Sequence, residues 1–432
     1  MSRRIRLLDL RPLRGSRPFR DLWIGTSASQ LGAQITTVAV LAQVWELTGS
    51  PVGTGAIGLA VGVPMMVFGL VGGALADAVD RRAVVRATTV GQLLVAAGLC
   101  AQAATDNRNV LVLFALVALS STCSGLGAAA RRTFPVRLLP ADQVAAGIAL
   151  SNVSFQAAML VGPALAGVII AHWGFSAAYA AQAGAVALAV LSLLRLPAMR
   201  PEGAGGGDEA RSRRRPERGG WRILRTKPTL WGSLATDLSA TLLAMPIALF
   251  PLVNEVRFDG DPQTLGLFLT AVAVGGITAG LFSGTVTRWH RAGAVQLTAA
   301  GVWGLALAGF GLAAPLWLVF GCLAVAGAAD TVSVITRGAL VQLETPDAYR
   351  GRVSSAEHVI GVAGPELGNF RGGLLASVTS APFALVTGGL SAALAVAVVA
   401  AANKPLRAYR TPSAEASPDG VPDQAVPAAT SP

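Results

Sequence analysis

Charge is scarce in this chain. Only 13% of its 432 residues are Asp, Glu, Lys or Arg, while 53% are hydrophobic. A soluble domain carries about 25% charged residues. So few charges cannot clothe a globule of this size in water, which excludes an ordinary soluble protein and leaves a polytopic membrane protein. Lysine is almost missing, with two against 32 arginines. Neither lysine follows a glycine, so there is no Walker A loop and no ATP hydrolysis of that kind. The three histidines (His172, His290, His358) are scattered without metal-ligand spacing. Cys100, Cys123 and Cys322 fall in apolar runs and read as small packing residues. No metal, cofactor or clustered catalytic constellation is expected, so the chain is not read as an enzyme.

What is present is apolar sequence in long runs. Twelve stretches are long enough to span, at 20–47, 53–77, 83–104, 110–130, 144–171, 175–196, 229–253, 264–287, 294–313, 315–337, 354–378 and 381–402. Each has at least the ~20 residues a spanning helix needs. The positive-inside rule gives an independent check. With both termini in the cytoplasm, 31 of 34 basic residues fall inside; Arg108 and Arg257 fall outside and Arg371 lies within a helix. That count places Arg337 in the cytoplasmic loop after helix 10. The net charge of +11 therefore reflects orientation and contact with anionic lipid, not nucleic-acid binding.

The fold expected is an all-α polytopic membrane protein of twelve helices in two six-helix bundles. Its parts are a basic N-terminus (1–19), a first bundle (20–196), a cytoplasmic linker (197–228), a second bundle (229–402) and a disordered tail (403–432). The two bundles echo each other. Arg131 precedes Pro140 by nine residues, and Arg337 precedes Pro346 by nine. "GPALAG" (162–167) is matched by "GPELGN" (364–369), and "GGALADAVDRR" (72–82) more weakly by "SGTVTRWHR" (283–291). Internal repeats in a 6 + 6 arrangement are a common construction of secondary transporters.

With the linker, the repeat and the loop after helix 2, the chain resembles the major facilitator superfamily. Gly73, Leu75, Asp77, Arg81 and Arg82 match that loop's signature. Ala78 stands where a basic residue is common, and Asp80 where glycine is common. Physically, Asp77 at the end of helix 2 is placed to bond a neighbouring helix end, with Arg81 and Arg82 towards anionic headgroups. "DLSATLLAMPIALFP" (237–251), "AGAADTVSVITRGALVQLETPDAYRGRV" (326–353) and "PELGNFRGG" (365–373) are similar to the enterobactin-exporter branch of that superfamily. The resemblance implies two bundles around a central cavity and export driven by a proton gradient.

Charges inside the spans need a reason, since each costs about 2.5–3.5 kcal/mol at the bilayer centre on insertion scales. Asp237, Asp330, Glu366 and Arg371 should therefore face the bundle interior. Asp237, Asp330 and Glu366 are the proton-coupling candidates. The helix 5 counterpart of Glu366 is Ala164, so the charge looks added for a task. Glu366 and Arg371 lie about 140° apart around a helix and cannot form the usual pair. Each is expected to find a partner on another helix, Arg371 an acid, a backbone carbonyl or the cargo. Gly361, Gly364, Gly368 and Gly372 form a stripe suited to close packing, with Glu366 pointing away from it. Gln30, Gln34, Asn152 and Gln156, with Arg371, are candidates for substrate contact or gating.

The function expected is secondary active export of a small molecule across the cytoplasmic membrane, by proton antiport with alternating access and as a monomer. A siderophore is the favoured cargo. A broad drug or antibiotic efflux pump of the same fold is the alternative, since three acids against one arginine suit cationic drugs. A passive pore is disfavoured, because a duplicated bundle with buried acids suits alternating access.

Overall fold

The computed structural model describes residues 9–196, 226–283, 291–346 and 349–410. The linker reading (197–225), the far tail (411–432), residues 1–8 and most of "SGTVTRWHR" lie outside them. Among the described residues there is no strand. The long helices are α1 (Arg17–Thr48), α2 (Pro51–Ala78), α3 (Arg81–Ala104), α4 (Val110–Arg132), α5 (144–173), α6 (175–194), α7 (Pro228–Phe258), α8 (Pro262–Leu281), α9 (Ala292–Leu312), α10 (Leu316–Glu344), α11 (Arg350–Val378) and α12 (Ala381–Ala402). α5 and α6 run on from one another and turn only at Gly174, with φ 76° and ψ −177°. That conformation is essentially open to glycine alone.

Local sequence sets the helix starts. Ser16, Asp80, Asn109, Asp261 and Ser380 each accept a backbone N–H in the first turn of α1, α3, α4, α8 and α12. Proline stands in the first turn of α1, α2, α7, α8 and α12, where its missing N–H does no harm. Nine of the described stretches are long and apolar enough to cross a membrane, the α5–α6 pair counting as one. α1 and α11, which carry more polar residues, complete the set.

α1–α6 pack mainly on one another, as do α7–α12, and the two bundles meet along two seams, α2 on α11 and α5 on α8. Glycine makes the close approaches. A Cβ on Gly275 of α8 would run into the Ala324 carbonyl of α10, and one on Gly327 into that of Val272. Such backbone contact between helices is the membrane substitute for a hydrophobic drive. Polar side chains tie the ends. Gln43 Oε1 accepts from Gln102 Nε2 (2.9 Å) and Tyr179 OH (2.7 Å), joining α1, α3 and α6.

Three boundaries differ from the sequence reading. α10 continues to Glu344, which brings Arg337 inside the helix rather than into a loop. α7 is interrupted: a helix to Ala244 gives way to a short 3-10 turn, Ile247–Leu249, and then to Phe250–Phe258. Pro246 has no N–H to continue the ladder. The freed groups are taken up by neighbours: the Ala248 N–H donates to Asn369 Oδ1 (3.2 Å), and its carbonyl accepts from Thr54 Oγ1 (2.8 Å). Lastly, residues 403–410 of the expected tail are packed. Asn403 Nδ2 donates to the Pro228 carbonyl (2.6 Å), and Leu406 is fully buried in a short helix, Lys404–Ala408.

Two consequences are measurable as thermal unfolding of the detergent-solubilised protein. Gly327→Val should lower the melting temperature by several degrees, whereas Gly321→Val on the same helix, with nothing within 4 Å, should leave it unchanged. Asn369→Leu should cost about 1–3 kcal/mol by orphaning the Ala248 N–H; an unchanged melting temperature would show that the break in α7 holds itself.

Candidate functional site

The close contacts between the bundles lie at the end away from the basic loops. On the α2–α11 seam a Cβ on Gly55 would meet the Asn369 carbonyl at 2.9 Å, and one on Gly373 would run into that of Pro51. On the α5–α8 seam Gly167 abuts Pro262, Gly266 abuts Pro163, and Thr270 Oγ1 donates to the Leu160 carbonyl (3.2 Å). All of these lie in the half of each helix remote from the basic end. Towards that end the same helices expose Leu70, Val71, Leu281, Phe282 and Val359.

A cavity of about 620 Å³ occupies the basic-end half of the first bundle, between α1, α3, α4, α5 and α6. Aromatic rings (Phe19, Trp23, Phe134) and polar groups line it, and among the described residues no carboxylate does. Of the sequence candidates, Gln30 and Asn152 line it. Gln34 does not: its Cβ fills the space beside Gly162 of α5. Gln156 is exposed and also stands outside the cavity lining.

The groups that dominate the cavity were missed by the sequence reading. Arg131, at the end of α4, donates to Thr89 Oγ1 (3.2 Å) and Gln92 Oε1 (3.0 Å), and Gln92 Nε2 donates to Ser124 Oγ (2.9 Å). Arg132 lines the cavity beside it. The available signal was the repeat, in which Arg131 and Arg337 occupy matching places.

Arg337 is itself buried, at 7% exposure, which corrects its placement in a loop. It pairs with Asp237 of α7 and, at 3.5 Å, with Glu357 of α11. Asp237 is therefore an ion-pair partner and not a solitary acid in the pathway. Asp330, seven residues before Arg337 on α10, feels both Asp237 and Arg337; it is walled by protein yet open to solvent. The cluster holds three acids against one arginine. The acidic pathway inferred from sequence thus describes the second bundle only, because the cavity of the first is basic.

Glu366 lies on the α2–α11 seam, its side chain against Gly58 and Gly62, and it hydrogen-bonds Asn369. The α11 glycine stripe faces elsewhere, with Gly364 and Gly368 against Thr241 of α7. Arg371 pairs with no acid among the described residues. It donates to the carbonyl of Leu243, one of those freed by the break in α7. In the loop after α2, Asp80 caps α3 and Arg82 donates to the Leu194 carbonyl at the end of α6 (3.1 Å), rather than facing headgroups. Gly73 has open space where a Cβ would stand, and Arg81 also makes polar contact. The Asp77 side chain lies outside the described residues.

This chain has relatives among known proteins. It is 27% identical over 396 residues to the enterobactin exporter EntS of Citrobacter koseri, covering 90% of this chain and 92% of that one. The EntS of Escherichia coli O1:K1 / APEC is 26% identical over the same length and shares. Among solved structures, the nucleoside transporter NupG superposes with a TM-score of 0.69 at 16% identity, over 91% of this chain and all of that one. A bacterial homologue of the iron transporter ferroportin, in an inward-facing state, superposes with 0.68 at 16% identity, over 90% and 99%. At such identities the structures establish the fold alone, that of major facilitator transporters. The sequence also matches the family described as transmembrane secretion effector over residues 9–430, and the chain is a member of that transporter family.

Proposed function

We propose that this chain exports an acidic, oxygen-rich small molecule, a siderophore in the first instance, in exchange for protons. The single observation that carries the reading is the basic cavity at the end of the molecule that bears the basic loops. By the positive-inside rule that end is cytoplasmic. The chain then sits in the cytoplasmic membrane with both termini inside, loading cargo from the cytoplasm. The enterobactin exporters supply the cargo class by likeness.

Proton movement is assigned to the second bundle. Asp330 is open to solvent beside the Asp237–Arg337 pair, so its protonation can be read by that pair. A carboxylate held in such a pathway can load and release a proton within the cycle. Glu366 is a seam residue that can report closure of the outer end. Broad export of cationic drugs is the second reading, favoured by the acidic cluster of the second bundle. The basic cavity weighs against it.

Deleting the gene in iron-starved cells should raise siderophore inside and lower it outside, read by mass spectrometry. Unchanged secretion without internal build-up would sink the siderophore reading. In proteoliposomes, Asp330→Asn should fold and still exchange cargo across the membrane, but lose uphill transport driven by a pH gradient. If uphill transport persists, Asp330 does not carry the proton. Asp237→Asn leaves Arg337 with Glu357 alone and should destabilise the fold by about 3 kcal/mol or more, seen as reduced folded yield.

A further inference from the structure

The internal repeat provides a built-in control for one buried charge. Arg131 and Arg337 occupy matching positions in the two bundles, each nine residues before a proline. In the second bundle the charge is answered by Asp237 and Glu357. In the first bundle Arg131 has, among the described residues, the neutral partners Thr89 and Gln92, and no described carboxylate lines its cavity. A walled-in cation without an anion is expensive to keep. A fold that neutralises one copy and leaves the other open, at the wall of a cavity of about 620 Å³, leaves room for an anion supplied from elsewhere.

Gln30 Oε1 of α1 and Gln182 Oε1 of α6 are buried with no accessible surface, and Gln182 Oε1 is turned onto Gly32 of α1, so Arg131 is the group through which this wall would meet an anion. A guanidinium presents a planar fork suited to a pair of anionic oxygens.

We infer that this part of the cavity is a cargo subsite for a planar oxyanion. Arg131, held by Gln92 and Thr89, takes a carboxylate, hydroxamate or phenolate. The inference rests on the export reading for its biological sense, but its test involves no transport.

The test is calorimetric titration of the full-length chain in lipid nanodiscs with two probes. 2,3-Dihydroxybenzoate carries a carboxylate beside hydroxyl donors, and 2,3-dihydroxybenzamide is its uncharged counterpart. The wild type should bind the anion about tenfold or more tightly than the amide. Arg131→Gln should abolish that preference. Equal binding of the two probes by the wild type, no binding of either, or an unchanged preference in folded Arg131→Gln overturns the subsite. Should Arg131→Gln fail to fold, Arg131→Lys decides. Losing the fork should cut anion affinity severalfold and spare the amide, and unchanged anion affinity overturns the subsite. A normal secretion profile in the deletion strain sinks the export reading alone and leaves this binding result standing.

Discussion

Inside a bilayer no water is available to backbone N–H and C=O groups, so every interruption of a helix must be answered by protein. That constraint shapes this molecule most visibly at α7. Pro246 stops the ladder, and three side chains from two other helices take the groups it frees: Thr54 from α2, Asn369 and Arg371 from α11. The glycine stripe of α11 exists for the same purpose. Only without side chains at Gly364 and Gly368 can α11 approach Thr241 closely enough for Arg371 to reach the Leu243 carbonyl. Arg257 does similar work elsewhere on α7, its guanidinium donating to the carbonyls of Phe310, Gly311 and Ala313 at the end of α9. An arginine in a membrane helix need not imply a carboxylate.

The duplicated architecture sets both bundles the same electrostatic problem and solves it in two ways. At the matching arginine, the second bundle supplies acids from α7 and α11, and the first supplies a neutral hydrogen-bond chain from Arg131 through Gln92 to Ser124. One wall therefore carries excess negative charge and the other excess positive. A transporter that exchanges an anionic cargo for protons needs both: a cationic place for the cargo and an acidic one for the proton. Separating them into different bundles keeps the two charges from cancelling in one site.

Much of the architecture was legible because it follows from averages over long segments. Hydrophobic run length and the bias of Arg counted over loops survive small errors of boundary. Individual partners were less legible. Arg337 counts with a loop when helix 10 is ended at 337, where the apolar run gives out, although the repeat pairs it with Arg131. The Leu243 carbonyl could not be foreseen as the partner of Arg371, because it is freed by an interruption in a different helix. Pro246 was visible in "AMPIALFP", but a proline alone does not distinguish a kink from a break. Gln30 and Asn152 line the cavity. Gln34 and Gln156 do not: polarity says nothing about which way a helix is turned, and neighbours such as Gly162 decide it.

The hydrogen bonds at α7 also divide in a way that bears on how the molecule moves. Asn369 and Arg371 belong to the same bundle as the break they cap, whereas Thr54 belongs to the other. Rocking the bundles apart at the outer seam would remove the Thr54 bond and leave the other two in place. The seam itself consists largely of glycine against backbone, at Gly55, Gly58, Gly167, Gly266 and Gly373. Such contacts are individually weak, and the acid set among them is Glu366. The interrupted helix can thus travel with the second bundle as one body, while the outer closure is made and unmade at small cost. Glu366, bonded to Asn369 and set against Gly58 and Gly62, is the acid positioned to sense that separation.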